Sequence, residues 1–558
     1  MSVEPDPSAD QDTEGAEQQP SVLVTPAVLD SAHLGDIEGA LGTIRTTETG
    51  ESTSLKRRLL TFAAILGPGL IVMVGDNDAG GVSTYSQAGQ NYGYSLLWVL
   101  LLLIPVLIVN QEMVVRLGAV TGVGHARLIN ERFGKGWGWF SVGDLFVLNF
   151  LTIATEFIGV SLAASYIGLS PYLVVPLAAV ALIAITASGS FARWERAMFA
   201  FIAITLVQIP MLLLSHPSWG SATKHFVMPG IQGGISSDAV LLIIAIVGTT
   251  VAPWQLFFQQ SNIIDKRITP RFIGYARTDT VLGSVVVVAG AGALIITATW
   301  AAVSTGQSGN FTDAGGVAQL LAQHSRLLGA LYAILLLDAS IIGAAAVTLA
   351  TSYAFGDMFN IRHSLHRGLR EAKPFYAMFS ALVIGAAVLV LIPGAPLGLI
   401  TTSVQALAGL LLPSASVFLL LLCNDREVLG PWVNSRWLNA LAALIIAVLL
   451  LLSGVLMATT LFPGLNVTLV TVYLAGAFTV LGTLAVVGLA IVHRRGQPAT
   501  PQPAFDKREK LTWRMPQLAL LRPVQWSPGL KLGMLTLRVY LVISAVLLIV
   551  KAVQLGTH

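Results

Sequence analysis

Gly75-Asp76-Asn77-Asp78-Ala79-Gly80-Gly81 interrupts the first long apolar stretch of this chain, and Thr249-Thr250-Val251-Ala252-Pro253-Trp254 interrupts the sixth. Gly, Asn and Asp are poor interior helix formers, because they favour other backbone states or bond their own backbone. Pro253 has no N–H, so the carbonyl of Thr249 loses its helical partner and the helix opens there. Unwound backbone at membrane depth survives only where it lines a cavity. Two interrupted helices in corresponding positions point to inverted repeats with a substrate site between them. Gly75, Gly80, Gly81 and Pro253 are therefore assigned as the helix-breaking residues.

The surrounding composition demands a membrane. Of 558 residues, 54% are apolar and only 11% charged, with a mean hydropathy of +0.75. Soluble proteins carry about a quarter charged residues. Apolar runs long enough to cross about 30 Å of hydrocarbon recur along most of the chain. We expect twelve helices, at about 59–90, 94–115, 140–167, 171–189, 195–215, 238–263, 278–304, 328–356, 375–393, 397–422, 437–461 and 467–492. The breaks lie in the first and sixth, so the repeats are helices one to five and six to ten, a transport core over 55–424. Helices eleven and twelve fill 425–494. A basic linker follows over 495–532, and 533–558 holds an apolar run that either spans or lies in the interface.

Basic residues alternate strictly between the loops. Lys56-Arg57-Arg58, Arg116, Arg127, Arg132, Lys135, Lys266, Arg267, Arg362, Arg367 and Arg494-Arg495 all fall on one side, while the other has only Lys224 and Arg326. That positive-inside pattern puts the N-terminus in the cytoplasm of a multi-pass plasma-membrane protein. Residues 1–54 hold eleven acidic residues against Arg45 alone. They bury too little apolar surface to fold and read as a disordered cytoplasmic tail, without the pattern of a signal peptide. The basic residues are explained by topology, so nothing calls for nucleic acid. The single cysteine, Cys423, excludes an intramolecular disulfide and Cys-rich metal sites.

Six acids fall inside the expected spans: Asp76, Asp78, Glu112, Asp144, Glu156 and Asp338. Each ionised carboxylate at the bilayer centre costs about 2.5–3.5 kcal/mol, so Asp76 and Asp78 together cost about 5–7 kcal/mol uncompensated. No Lys, Arg or His occupies the middle of the twelve spans. The missing counter-charge is most simply a transported cation. Glu112 is explained by an i,i+4 pair with Arg116, and Asp144 by water near its helix end. Asp338 is either a structural hydrogen-bonder or part of the ion path. Asp78, at the break, is the leading ligand, with Glu156 next. Opposite lie freed carbonyls from Thr249 to Ala252, then Gln255 and Gln259. These hard oxygens suit Mg²⁺, Ca²⁺ or Mn²⁺, and Mg²⁺ in particular keeps several of its waters.

The same residues carry a family resemblance. Gly67-Pro68-Gly69 with Asp78-Ala79-Gly80-Gly81, Arg116 through Gly122, Ile153-Ala154-Thr155-Glu156, Val251-Ala252-Pro253-Trp254, Gln405 before Pro413, and Asn424-Asp425-Arg426 resemble, in order and spacing, the NRAMP (natural resistance-associated macrophage protein) metal transporters over about 55–490. The resemblance implies an all-α polytopic membrane protein with a leucine-transporter-like fold, two inverted five-helix repeats and additional C-terminal helices. It implies that Asp78 and Gln405 match family metal ligands. The family asparagine is replaced by Gly81, the sixth-helix methionine by Ala252 and the histidine after the proline by Trp254. On the third helix the aspartate becomes Glu156, and the glutamate three positions on becomes Gly159. Losing the thioether removes the preference for soft ions. The pattern is similar to the prokaryotic NRAMP-related magnesium transporters.

The expected activity is transport of Mg²⁺ and/or Mn²⁺ by alternating access, not catalysis, with no resident cofactor. The expected metal set is Asp78, Thr249, Ala252, Gln255 and Gln405, with Asp76, Gly81, Glu156 and Gln259 in the vestibule or outer shell. Proton-coupled import of Mn²⁺ or Fe²⁺, and cation-coupled amino-acid transport on the same fold, are the alternatives; oligomeric state is open.

Overall fold

The structure is a computed structural model that describes residues 27–47, 54–394, 396–462, 465–495, 506–524 and 528–556. A two-stranded hairpin, β1 (Ile37–Gly39) and β2 (Gly42–Ile44), precedes the helices. The first repeat then runs α1 (Leu55–Ile65), α2 (Pro68–Val74), α3 (Ala79–Tyr92), α4 (Leu97–Thr121), α5 (His125–Phe133), α6 (Lys135–Tyr166), α7 (Pro171–Thr186), α8 (Phe191–Ile204) and α9 (Gln208–Leu214). After a short α10 (Trp219–Val227), the second runs α11 (Ser237–Thr250), α12 (Pro253–Asp265), α13 (Ile273–Thr305), α14 (Ala314–His324), α15 (Arg326–Phe359), α16 (Lys373–Val390) and α17 (Leu397–Asn424). Five further helices complete the described chain: α18 (Arg426–Leu429), α19 (Arg436–Leu461), α20 (Val467–Arg495), α21 (Lys507–Thr512) and α22 (Pro528–Gly556).

Each of the twelve expected segments is helical. Ten helices among the described residues are long and apolar enough to cross a membrane, or eleven if the bent α1–α2 pair counts as one. Both breaks lie where Gly, Asp and Pro place them: the sixth span stops at Thr250 and restarts at Pro253, and the first stops at Val74 and restarts at Ala79. The first span has a further break. Gly67 takes φ +146°, a backbone state only glycine holds easily, and α1 and α2 meet at 50°. Asp279 fixes this bend by accepting hydrogen bonds from the amides of Gly67, Gly69 and Leu70 at 3.2, 2.7 and 3.0 Å.

The expected disordered tail needs correction. Residues 1–26 and 48–53 lie outside the described residues, but 27–47 fold onto the N-terminal face of the bundle. Ile37 and Ile44 are buried, and the glycines of the hairpin pack directly on Ala64 of α1. A mostly polar segment folds here because α1, α8 and α12 supply both the apolar surface and the hydrogen-bond partners that it lacks alone. The linker is also docked in part. Met515 is buried, its amide donates to the Val120 carbonyl at 3.2 Å, and Arg514 donates to the Ala119 carbonyl at 3.0 Å. The apolar run expected at 533–558 lies, as far as Gly556, in α22, whose Met534, Leu537 and Leu541 are buried. The Tyr540 hydroxyl donates to the Leu410 carbonyl at mid-length of α17.

Candidate metal site

The two breaks meet at the centre of the bundle. Asp78 is the N-cap of α3, and its Oδ1 accepts the Gly81 amide at 2.7 Å. Glu156 reaches the same turn from α6, with Oε2 accepting the Ala79 amide at 3.0 Å. The two carboxyls lie within hydrogen-bonding reach of each other. The amides at the positive end of α3 favour negative charge, so this turn seats two acids side by side while using only part of their acceptor capacity. Glu156 Oε1 and both Asp76 oxygens are buried and have no hydrogen-bond partner among the described residues. Asp76 is 0% exposed, Asp78 2% and Glu156 0%.

The sixth span faces them with oxygen. Gly81 packs against the Thr249 hydroxyl and the Asp76 carbonyl, and Thr249 Oγ1 is buried without a partner. The C-terminal ends of α2 and α11 both point their partial negative charge at the gap. From α17, the Gln405 amide lies against Gly80, where an added Cβ would collide with Gln405 Nε2 and come within 3.1 Å of Asp78 Oδ1. Gly80 thus serves two purposes, breaking the helix and admitting Gln405. Asp78, Thr249, Gln405, Asp76 and Glu156 converge as expected, with Glu156 directly beside Asp78 rather than out in a vestibule.

Two expected donors are committed elsewhere. Gln255 donates to the Thr250 carbonyl at 3.2 Å, and its oxygen accepts Gln111 Nε2 at 2.9 Å. The Ala252 carbonyl accepts the Gln255 amide at 3.2 Å. Both therefore brace the break, Gln255 by holding the Thr250 carbonyl at the end of α11 and Ala252 as the N-cap of α12. Gln259, one turn further along α12, is fully buried with both polar atoms unpartnered. Asp338 is 4% exposed and also makes no hydrogen bond among the described residues. Trp254 packs its ring against Gly75.

The sequence reading missed the residues that make room. Gly343 of α15 lies where a Cβ would stand 2.5 Å from Glu156 Oε2 and 2.6 Å from Asp78 Cβ. Gly159 meets Ala79 and Ser340 in the same way. A glycine inside a long span is a signal of close approach, but nothing in sequence tells which of several such glycines matters. Tyr85 was also missed; its hydroxyl bonds the Thr250 hydroxyl at 2.7 Å and ties the two broken spans together.

A cavity of about 480 Å³ opens on the face opposite the N-terminal hairpin, between α3, α11 and α17, lined by Gln87, Asn91, Asp238 and Thr402 among others. It ends at the Thr402–Gln87 hydrogen bond, 2.7 Å, about one turn above Gln405. On the other side α12 is buried throughout its length.

Comparison with known proteins agrees with this architecture. Residues 69–459 match the natural resistance-associated macrophage protein-like family. The chain is 30% identical over 412 residues to the divalent metal cation transporter MntH of Ralstonia nicotianae, covering 71% of this chain and 90% of that protein. It is 25% identical to the protein of the same name from Pectobacterium carotovorum, covering 75% and 98%. The crystal structure of the Eremococcus coleocola manganese transporter superposes with a TM-score of 0.59 at 20% identity, covering 80% of this chain and 98% of that one. The chain thus belongs to the natural resistance-associated macrophage protein-like family, with the fold that its two broken spans announced.

Proposed function

We propose that the protein is a secondary transporter that takes up divalent metal cations, Mg²⁺ and Mn²⁺, across the plasma membrane by alternating access, with its N-terminus in the cytoplasm. One observation carries the reading. Asp76, Asp78 and Glu156 are buried together at the two helix breaks, and no hydrogen bond or ion pair from a basic side chain reaches them among the described residues. Carboxylates in that position need a cation, and two adjacent acids with amide and hydroxyl oxygens suit a hard divalent ion. Relatives named as divalent metal cation transporters support the same substrate class.

In this reading Asp78 holds the ion, Glu156 and Asp76 supply further charge or hold its retained water, and Thr249 and Gln405 complete the shell. Ala252 in place of the family methionine leaves no thioether at the break, which admits Mg²⁺. Trp254 and Gly159 stand where the family has its histidine and second acid, so uptake here proceeds without a proton gradient. The basic N-terminal face lies in the cytoplasm, and α22 spans the membrane beside α17. The test is ion uptake into proteoliposomes for Mg²⁺, Mn²⁺, Ca²⁺ and Fe²⁺, with and without a pH gradient. Saturable Mg²⁺ and Mn²⁺ uptake independent of the gradient is expected. Currents evoked by amino acids without divalent ions would replace this reading with the organic-substrate one.

A further inference from the structure

We propose that residues 27–47 form a latch that holds the cytoplasmic gate shut, so that release of this strap precedes inward opening; the inference rests on the alternating-access reading above. The geometry is specific. The strap crosses from α1, the first segment of the broken span, to elements on the other side of the same face. Its hairpin sits on α1 through Gly39 and Gly42, which contact Ala64 so closely that no side chain would fit at Gly39. Its remaining anchors all lie elsewhere. The Ala40 amide donates to Glu195 Oε2 of α8 at 2.5 Å. Asp30 takes a two-pronged hydrogen bond from Arg367, in the segment after α15, at 3.0 and 2.5 Å.

Arg267, just past α12, holds the carbonyls of Ala32 and Asp36 at 2.9 and 3.0 Å. It does so at φ +62°, a left-handed state that a non-glycine residue keeps only when its surroundings over-determine it. Beneath the hairpin, Lys266 at the end of α12 bridges Glu195 at 2.6 Å and the Leu66 carbonyl at the end of α1 at 2.7 Å. Both charged groups are 0% exposed. The strap's Ala40 amide occupies the other Glu195 oxygen and so completes this bridge. Three separate parts of the chain, α8, the end of α12 and the segment after α15, are thereby fastened to α1 at the face away from the open cavity.

An opening of that face must part α1 from α12, since the bend at Leu66–Gly67 is the place where the first span already hinges by 50°. Parting them breaks the Lys266–Leu66 contact, and the strap spans the same gap. Its anchors are surface-side hydrogen bonds and one bidentate ion pair, which are strong enough to bias an equilibrium yet can be released. The strap therefore favours the state observed here, closed at this face, with the cavity on the opposite one.

The test uses full-length protein in which Cys423→Ala removes the one native thiol and Thr280→Cys, on α13 against Gly69 at the bend, reports opening. Thr280 is 1% exposed, so its thiol reacts with a water-soluble maleimide only when α1–α2 departs. Asp30→Ala and Arg367→Ala are expected to speed hydrogen exchange across 27–47 and to speed Thr280→Cys labelling several-fold. The charge-exchanged pair Asp30→Arg with Arg367→Asp is expected to restore both. Faster strap exchange with unchanged labelling overturns the latch, and unchanged strap exchange overturns the assigned anchors. Labelling needs no transport, so loss of ion uptake with this pattern intact would count against the transport reading alone.

Discussion

Two groups of buried acids in this protein, apart from Asp338 on α15, are treated in opposite ways. At the N-terminal face every one is answered. Glu195 has Lys266 and the Ala40 amide. Asp265 accepts from Tyr353 at 2.7 Å, from the Leu365 amide at 2.8 Å and from Ser364. Asp279 accepts three amides. At the centre, Asp76 has nothing, Glu156 keeps one oxygen free, and Asp78 is paired only with its own helix terminus and with another acid. Satisfied acids build a scaffold, and unsatisfied ones leave a position for something absent from the protein chain.

The contrast can be broken by neutralising one member of each region. Lys266→Met strands Glu195 without its cation, and stranding a buried charge costs about 3–5 kcal/mol. Chemical unfolding should show that loss, and Glu195→Gln with Lys266→Met should recover most of it. Asp78→Asn, the same kind of change at the centre, should leave stability without ions level or higher, because it removes an uncompensated charge. Mg²⁺ and Mn²⁺ uptake should nevertheless fall by about 100-fold, or about 2.7 kcal/mol. If Asp78→Asn destabilises as much as Lys266→Met, the two regions are alike and the distinction fails.

Gly343→Ala sharpens the central half. The added methyl meets Glu156 and Asp78, so overpacking should cost about 1–3 kcal/mol and uptake should drop about tenfold, read as a higher KM. Gln255→Ala should weaken uptake less than Gln405→Ala, since Gln255 spends its polar atoms on Gln111 and Thr250. Equal losses would return Gln255 to the ion shell.

The smallest effect concerns pH at the N-terminal face. Burial alone lowers the His363 pKa, but Asp357 beside it, at 3.3 Å, and the Ile361 carbonyl outweigh this and hold it above the ordinary value. A raised histidine stabilises fully below about pH 6.5 and loses that contribution as pH climbs through the folded value. Burial likewise raises Asp30, but Arg367 and the Ala32 amide outweigh it and hold Asp30 low. Its contribution is present above about pH 3.8 and is lost only on acidification below that. Thermal melts should thus be higher at pH 5.5 than at pH 8.5, and His363→Gln should reduce the difference.

Much of this was legible in the sequence, for physical reasons. Gly, Asp and Pro act on the local backbone, so both central breaks appear at the expected residues, and hydropathy fixed the helices around them. Asp78 and Thr249 were legible because polar atoms at a break in an apolar span must face something, whereas Gln405 came from the family resemblance alone. The hydrogen bonds of Gln255 and Ala252 were not legible, because their partners, Gln111 and the restarting helix itself, are tertiary facts. The folded 27–47 segment was hidden for the same reason: its composition argues for an unfolded chain, and only the surface waiting on α1, α8 and α12 reverses that. Lys266 reads in the sequence only as one of the topological basic residues, and nothing in its spacing of 71 positions from Glu195 shows that they pair.

The central claim is that the counter-charge missing at the breaks is a divalent ion held by Asp78. Its most direct test is thermal stability and calorimetric binding across a Mg²⁺ and a Mn²⁺ titration, for the native protein and Asp78→Ala. An ion that binds only the folded state stabilises it by about 2.7 kcal/mol at a hundred times its Kd. The native protein should show saturable stabilisation with both ions, and Asp78→Ala, folded but lower by the lost N-cap of α3, about 0.5–2 kcal/mol, should show none. Equal stabilisation of the variant would place the ion elsewhere and contradict the account.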